Sequence, residues 1–171
     1  KKAEYMAKQL GILLEYIHFE ERHMEVVKTP VYGRGKNMNP CIDCHSLMFR
    51  VAGELLEKYG ASFLISGEVL GQRPMSQNPQ ALEKVKKLSG VGDLILRPLS
   101  GKLLPPSLAE TKGWIRREGL LDINGRGRSR QMELMAQYGL VDYPSPGGGC
   151  LLTDPTYSIR LKILEEDGLL E

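Results

Sequence analysis

The sequence contains no long apolar run and no unusual bias in composition. No stretch approaches the roughly 20 apolar residues that span a bilayer, and the first residues show no secretory signal pattern, so we expect a cytoplasmic protein. Hydrophobic residues make up 42% and charged residues 26% of the 171 positions, which argues against intrinsic disorder. A chain of this length can form one domain with its own core.

The chain also lacks a strong excess of charge of either sign. The net charge of +2 is too small to indicate a nucleic-acid partner by itself. Arginines are nevertheless concentrated in one segment: Arg116, Arg117, Arg126, Arg128 and Arg130. Such a cluster can bind phosphates. We therefore predict that Arg126, Arg128 and Arg130 contact nucleic acid, with an ordinary solvated face as the alternative.

The sequence does not begin with methionine. Ala3, Met6, Ala7 and Leu10 recur at helical spacing, and Gly11 ends the predicted helix. Because a domain rarely begins inside a packed helix, we expect further sequence before Lys1.

Short apolar segments alternate with amphipathic ones along the chain. The predicted strands cover 13–19, 61–69 and 93–96. The predicted helices cover 47–59, with Ser46 as the cap, and 78–88, 107–117, 131–138 and 157–170. This alternation predicts an α/β fold with a parallel sheet, in a domain over residues 1–155 followed by a helical tail over 156–171. Ligands bind such sheets at the carboxyl ends of the strands, which favours the loop after Val69.

The three cysteines lie in predicted loops or at loop–helix junctions. Cys41 and Cys44 form a C-x-x-C pair at the start of a helix, where the helix N-terminus should lower the pKa of Cys44. Cys150 follows three glycines at 147–149, which leave room around its sulfur.

Four interpretations of these cysteines are open. They are unrelated thiols, or a structural zinc site with His45 as a fourth ligand. Alternatively, they are a persulfide or redox pair in which Cys150 attacks or resolves Cys41 or Cys44. The last interpretation is a 4Fe-4S cluster held by Cys41, Cys44 and Cys150, with one iron open for sulfide or substrate.

Several motifs together resemble a known family. The segment Ser66–Gln72, followed by Ser76 and Gln77, is similar to the T-G-E-x-L-G-Q-V-x-S-Q segment of tRNA 4-thiouridine synthetases, with one additional residue before Ser76. Arg97-Pro98-Leu99 resembles the R-P-L strand end of the same enzymes, and the C-x-x-C plus distant cysteine matches their iron–sulfur branch. Over roughly residues 1–155, the chain therefore resembles PP-loop ATP pyrophosphatases that thiolate tRNA. Some of these proteins are labelled tRNA methyltransferases, but no glycine-rich loop after a strand supports methyl transfer here.

The resemblance implies a Rossmann-like sandwich of the adenine nucleotide alpha hydrolase type and an ATP-dependent tRNA sulfurtransferase. ATP with Mg²⁺ would adenylate a base carbonyl, and sulfur from a donor would then displace AMP. In this scheme Gly67, Glu68, Gly71 and Gln72 line the nucleotide and base pocket. Cys41, Cys44 and Cys150 carry the sulfur, directly or through a cluster, and a homodimer is compatible with the family.

One family motif is missing from these residues. The S-G-G-x-D-S phosphate loop does not occur in the sequence and is expected before Lys1, so this polypeptide alone should not turn over ATP. Two alternatives to a tRNA sulfurtransferase are open: a PP-loop enzyme that activates a small carboxyl or amide, and a non-catalytic, metal-stapled RNA-binding module.

Overall fold

The computed structural model describes residues 2–141 and 150–170, so the predicted glycine loop at 147–149 lies outside the described residues. Helices dominate this part of the chain. They are α1 Lys2–Leu10, α2 Glu20–Lys28, α3 Cys41–Glu54, α4 Pro79–Ser89, α5 Leu108–Thr111, α6 Ser129–Gln137 and α7 Pro155–Glu166. Among the residues described, no helix combines the length and apolar character needed to cross a bilayer.

Two short strands form a parallel sheet. Strand β1 (Leu64–Ile65) pairs with β2 (Ile95–Leu96), with Leu64 opposite Ile95, and α4 lies between them in sequence. An isolated parallel bridge joins Leu70 to Asn124 beyond the end of β1. The parallel pairing of two predicted strands is thus confirmed and agrees with an α/β fold. Two strands of two residues do not by themselves establish a Rossmann-like sandwich.

The strand predicted at 13–19 is wrong. Residues 12–19 have no regular structure, and Leu13 and Tyr16 are 78% and 60% exposed. Their apolar side chains have no paired strand to pack against, so β-propensity alone does not produce a strand here. Instead α2 begins at Glu20, where two glutamates in its first turn favour the positive end of the helix dipole.

Helix α3 begins earlier than predicted. It starts at Cys41 rather than after Ser46, and Pro40 occupies the N-cap position. Ser46 is buried inside the helix, where its hydroxyl donates to the Ile42 carbonyl over 2.8 Å, so its predicted role as the cap is wrong. The helix packs against the region of α4, and a side chain at Gly53 would approach Val91 to 2.7 Å. This packing fixes α3, which carries two of the three cysteines.

The later helices follow the predictions with one exception. The helix predicted over 107–117 is a single turn, α5, that Ser107 caps and Gly113 follows at a φ of 72°. Helix α4 is confirmed with an Asn78 cap, whose side chain accepts from the Ala81 amide. Helices α6 and α7 are confirmed in position, and Asp154 caps α7.

A small apolar cluster joins the loop before α3 to the segment after Cys150. Val27, Met38, Leu152 and Leu161 pack together. The Met38 amide donates to the Leu152 carbonyl over 3.1 Å, and Asn37 Nδ2 donates to the Thr153 carbonyl over 2.8 Å. Because this cluster fixes residues 151–153 beside the start of α3, it brings Cys150 close to the C-x-x-C pair.

A candidate active site lined by three cysteines

The three cysteines meet at one cavity. Cys41, Cys44 and Cys150 all line a cavity of about 790 Å³ at the start of α3, although Cys150 is distant in sequence. All three are free thiols: Cys41 and Cys44 are half-buried and Cys150 is exposed. Sequence-distant groups in one cavity are the arrangement expected of a reactive site rather than of unrelated thiols.

The residues between the two helical cysteines have a structural role. Asp43 is buried at 3% exposure, and one oxygen of its carboxylate accepts a hydrogen bond from the Val31 amide over 2.6 Å. The same carboxylate accepts from the Tyr32 amide at 3.2 and 3.3 Å. Asp43 therefore holds the loop that carries Asn37 and Met38 in place, and this loop in turn holds the segment after Cys150.

A chain of charged groups connects Cys41 to the end of β1. The His45 ring lies one helical turn after Cys41, and its interaction with the thiol changes the pKa of both groups. Its Nδ1 lies 2.7 Å from Glu68 Oε1. Arg97 Nε donates to the other Glu68 oxygen over 2.8 Å, and the guanidinium lies 5.7 Å from the centre of the Phe49 ring. Glu68 and Arg97 are 7% and 9% exposed, so little water screens these contacts.

This chain changes the acidity of Cys41. Burial raises the pKa of the thiol, but the charge of His45 and polar contacts with His45, Ser76 and Asn39 outweigh that effect, so the pKa is lowered. Burial lowers the pKa of His45, but its contacts with Cys41 and Glu68 outweigh burial and raise it to about 9. Both shifts act in the same direction: they favour a Cys41 thiolate beside a protonated imidazole over the neutral pair, and the thiolate is the activated form of a cysteine nucleophile.

Cys44 has the opposite character. Burial, together with the charges of Cys150, Cys41 and Asp43, raises the pKa of its thiol to about 11. The prediction that the helix N-terminus would lower the pKa of Cys44 is therefore wrong, because desolvation outweighs the helix dipole at this depth. Cys41, at the first helical position, is the acidic thiol of the pair.

The donor set of the three thiols suits a metal group chemically, because thiolates are the ligands that zinc and iron–sulfur clusters prefer. Within residues 2–141 and 150–170, no three His, Cys, Asp or Glu side chains are arranged to hold a single ion. A zinc site or a 4Fe-4S cluster on Cys41, Cys44 and Cys150 stays a prediction, and the mechanism proposed for this chain uses the thiols alone.

The comparisons with known proteins identify the family. The family model of the thiamine biosynthesis protein (ThiI) matches residues 2–103, well over half of the chain. The chain belongs to the ThiI family. Membership supports tRNA thiolation of the PP-loop type at the level of the family. Neither a curated protein nor a solved structure matches the chain.

The ThiI match covers only part of the cavity. Cys41, Cys44, His45 and Glu68 lie within the matched residues, whereas Cys150 lies beyond them. Cys150 is therefore held at the site by Leu152 and Leu161, which lie beyond the matched residues and pack in the apolar cluster.

The residues predicted to bind nucleotide separate into different environments. Gln72 lines the cysteine cavity, and Gly67 is exposed with open space around it. Gly71 has a φ of 75°, and a side chain there would meet the Gly125 backbone at 3.4 Å. The Glu68 carboxylate instead contacts the side chains of His45 and Arg97. Their nucleotide contacts stay a prediction.

The three arginines of the predicted nucleic-acid cluster also differ. Arg128 precedes α6 and lines the cysteine cavity. Arg126 is exposed, and Arg130 forms an ion pair with Glu133 over 2.7 Å. Of the three, Arg128 is the one placed at the candidate site.

The sequence interpretation missed the partners of Cys41. It considered His45 only as a fourth zinc ligand and not as a partner of Cys41. The four-residue spacing of Cys41 and His45 places both on one face of a helix and could have indicated the pair. Ser76 is fully buried beside Cys41, a contact that no local pattern predicts.

Proposed function

We propose that this chain carries the sulfur-transfer centre of an ATP-dependent tRNA sulfurtransferase, with Cys41 as the thiol that carries the transferable sulfur. The observation that carries this proposal is the meeting of Cys41, Cys44 and Cys150 at one cavity, which His45 also lines one helical turn after Cys41. Membership of the ThiI family supports tRNA as the substrate class.

The proposed transfer needs two thiols. The terminal sulfur of a Cys41 persulfide attacks the adenylated carbon of the base, and the carbon–oxygen bond to AMP breaks. A second thiolate, from Cys150, then attacks the Cys41 sulfur, which releases the thiolated base and leaves a Cys41–Cys150 disulfide. An external dithiol reduces this disulfide. Cys150 suits the resolving role because it is exposed, whereas Cys44 is half-buried with a raised pKa.

The activating half of the reaction needs groups outside these residues. ATP with Mg²⁺ would supply the adenylate, and Gln72 is the predicted nucleotide residue that also lines the cysteine cavity. The S-G-G-x-D-S phosphate loop is absent from the sequence. We propose that the 171 residues alone do not turn over ATP and that the complete enzyme has the Rossmann-like sandwich. The assays below therefore use the full-length protein.

Replacing each cysteine separately tests the proposal. In the full-length enzyme, Cys41→Ser and Cys150→Ala should each abolish tRNA thiolation, while ATP-dependent adenylation of the tRNA continues. Cys44→Ser should retain part of the activity, because the proposed steps do not use this thiol. Thermal unfolding of each variant checks that the fold is preserved. Thiolation by Cys41→Ser at the wild-type rate would exclude Cys41 as the carrier.

Metal analysis separates the persulfide route from the cluster predicted by the sequence. The protein is purified without oxygen, and iron, acid-labile sulfide, zinc and the visible spectrum are measured. We expect less than one iron per chain and a colourless protein. About four irons per chain with matching sulfide would replace the persulfide route with a cluster on the same three cysteines.

A further inference from the structure

The cysteine cavity carries an uneven distribution of charge. Three cationic side chains reach it from separate segments: Lys36 from the loop before α3, Arg73 from the loop after β1, and Arg128 from the N-cap of α6. Among the described residues that line the cavity, none is an aspartate or glutamate. The concave surface around the thiols is therefore positive, although the chain as a whole is nearly neutral.

These three cations have no acidic partner. Within the part of the chain that the structure describes, Lys36, Arg73 and Arg128 form no salt bridge and no side-chain hydrogen bond. Five other arginines do pair with a glutamate: Arg22 with Glu54, Arg34 with Glu165, Arg97 with Glu68, Arg117 with Glu110, and Arg130 with Glu133. Unpaired cations around a cavity attract an anionic ligand, because protein carboxylates do not already neutralise them.

The same cavity offers an apolar wall. Met48 and Met75 line it and are 42% and 48% exposed, which is high for methionine side chains at a concave surface. Methionine is flexible and polarizable, so it can pack against a flat ring without a fixed geometry. The cavity of about 790 Å³ also has the size of pockets that enclose small-molecule ligands, about 300–1,000 Å³.

We propose that Lys36, Arg73 and Arg128 bind the tRNA phosphates on either side of the target nucleotide and so hold its unstacked base against the methionine wall beside the cysteines. This inference rests on the proposed function and specifies which residues contact the tRNA. The three cations lie on separate segments around one cavity, which suits a backbone that passes across an opening with its base turned inward. Phosphate contacts position the RNA without reading its sequence.

The ligand is more consistent with an RNA backbone than with pyrophosphate or an acidic protein. Pyrophosphate of ATP would bind at the phosphate loop, which is not among these residues. An acidic sulfur-carrier protein could also be attracted by the three cations, but the exposed wall of Met48 and Met75 beside them suits a base. The experiment below separates these two partners.

The test measures how salt affects tRNA binding. Lys36→Gln, Arg73→Gln and Arg128→Gln are made singly and together in the full-length protein, and binding to unmodified tRNA transcripts is measured at several salt concentrations. Each lost phosphate contact should reduce the slope of log binding constant against log salt concentration by about 0.7–0.9, so the triple variant should lose about 2–3. Arg130→Gln is the matched control, because Arg130 lies nearby but pairs with Glu133, and its slope should not change.

Two further measurements decide between the outcomes. Sulfur loading of Cys41 from the donor should be the same in the triple variant and in the wild type. If the triple variant keeps the wild-type salt slope while the wild type thiolates tRNA, this inference is wrong and the proposed function stands. If loading from a protein donor falls but tRNA binding does not, the cations serve the sulfur carrier instead. If the wild type neither binds nor thiolates tRNA, the proposed function itself fails.

Discussion

Two glutamates with little exposed side-chain surface each pair with an arginine but differ in what else they contact. The side chains of Glu68 and Glu110 are 7% and 8% exposed, and each pairs with an arginine at 2.7–2.8 Å. Glu110 closes a local structure: it accepts from the amide and the hydroxyl of Ser107 and completes the capping box of α5. Glu68 instead connects to His45, whose ring contacts Cys41.

The arginines that pair with these two glutamates also differ in their other contacts. Arg117 donates to Glu110 and also to the carbonyls of Lys102 and Leu104, so its contacts remain within one compact turn region. Arg97 leaves Nη2 buried without a hydrogen-bond partner in the described part of the chain. Most buried polar groups have a hydrogen-bond partner, so each exception needs an explanation, and a catalytic role is one of them. Burial of a Glu–Arg pair therefore does not by itself indicate a functional role. The groups that the remaining atoms of the pair contact are the better indication.

The largest effect should follow from removing the His45 imidazole, which lies between the Glu68–Arg97 pair and the Cys41 thiol. His45→Gln removes the charge and the hydrogen bond that lower the pKa of Cys41, so the thiol should return toward its free value. A free cysteine of pKa about 8.5 is only about 3% thiolate at pH 7, so alkylation of Cys41 should become slower at that pH. The measurement is the rate of iodoacetamide labelling across pH 5–10, in a background of Cys44→Ser and Cys150→Ser.

The sign of this change is fixed by the structure. Removing a positive neighbour disfavours the thiolate, so the midpoint of the labelling profile should move to higher pH. His23→Gln is a suitable control, because His23 packs against Phe19 and does not line the cysteine cavity. An unchanged midpoint in His45→Gln would show that His45 does not tune Cys41.

A smaller effect is expected one step further along the same chain. Glu68→Gln keeps an acceptor for Arg97 but removes the negative charge that favours protonated His45. The pKa of His45 should fall from its raised value, and the pKa of Cys41 should rise, but by less than in His45→Gln, so labelling at pH 7 should slow to a smaller extent. In the full-length enzyme, thiolation should fall at neutral pH and recover in part at higher pH. A loss of activity that is the same at every pH would contradict this positioning role.

The sequence predicted the fold best where local signals agreed with packing. Helix α4 has an Asn78 cap, a first-turn proline and a Gly90 end, and it was predicted almost to its boundaries. The segment 13–19 has the composition of a strand, but strand formation depends on a neighbouring strand that local composition does not specify. Helix α3 begins at Cys41 because Pro40 precedes it, whereas Ser46 gave a misleading cap signal from inside the helix.

The sequence predicted that the three cysteines meet, but it did not predict the acidity of each thiol. The spacing of Cys41 and Cys44, with a distant Cys150, indicated three cooperating thiols, and one cavity contains all three. Which thiol is acidic depends on burial and on the contacts of His45, Glu68 and Ser76, which belong to separate segments. Lys36 and Arg73 carried no sequence signal, because an isolated surface cation looks the same whether or not it faces a cavity.

The smallest effect should come from the structural carboxylate. Glu110→Gln weakens the capping box and the contact with Arg117, and should lower the free energy of unfolding by about 1 kcal/mol, without changing the rate of Cys41 labelling. For a protein of this size that loss corresponds to a decrease in melting temperature of about 2–4 °C.

Hydrogen bonds from Ser107 and Arg117 outweigh burial and lower the pKa of Glu110. Its contribution should therefore be complete above the unfolded pKa of about 4.3 and be lost as the pH falls through the lower folded value. Ser107→Ala should cost a similar amount, because it removes the other half of the same cap. A change in Cys41 labelling in Glu110→Gln would mean that the two buried pairs are coupled, and the distinction between them would then not hold.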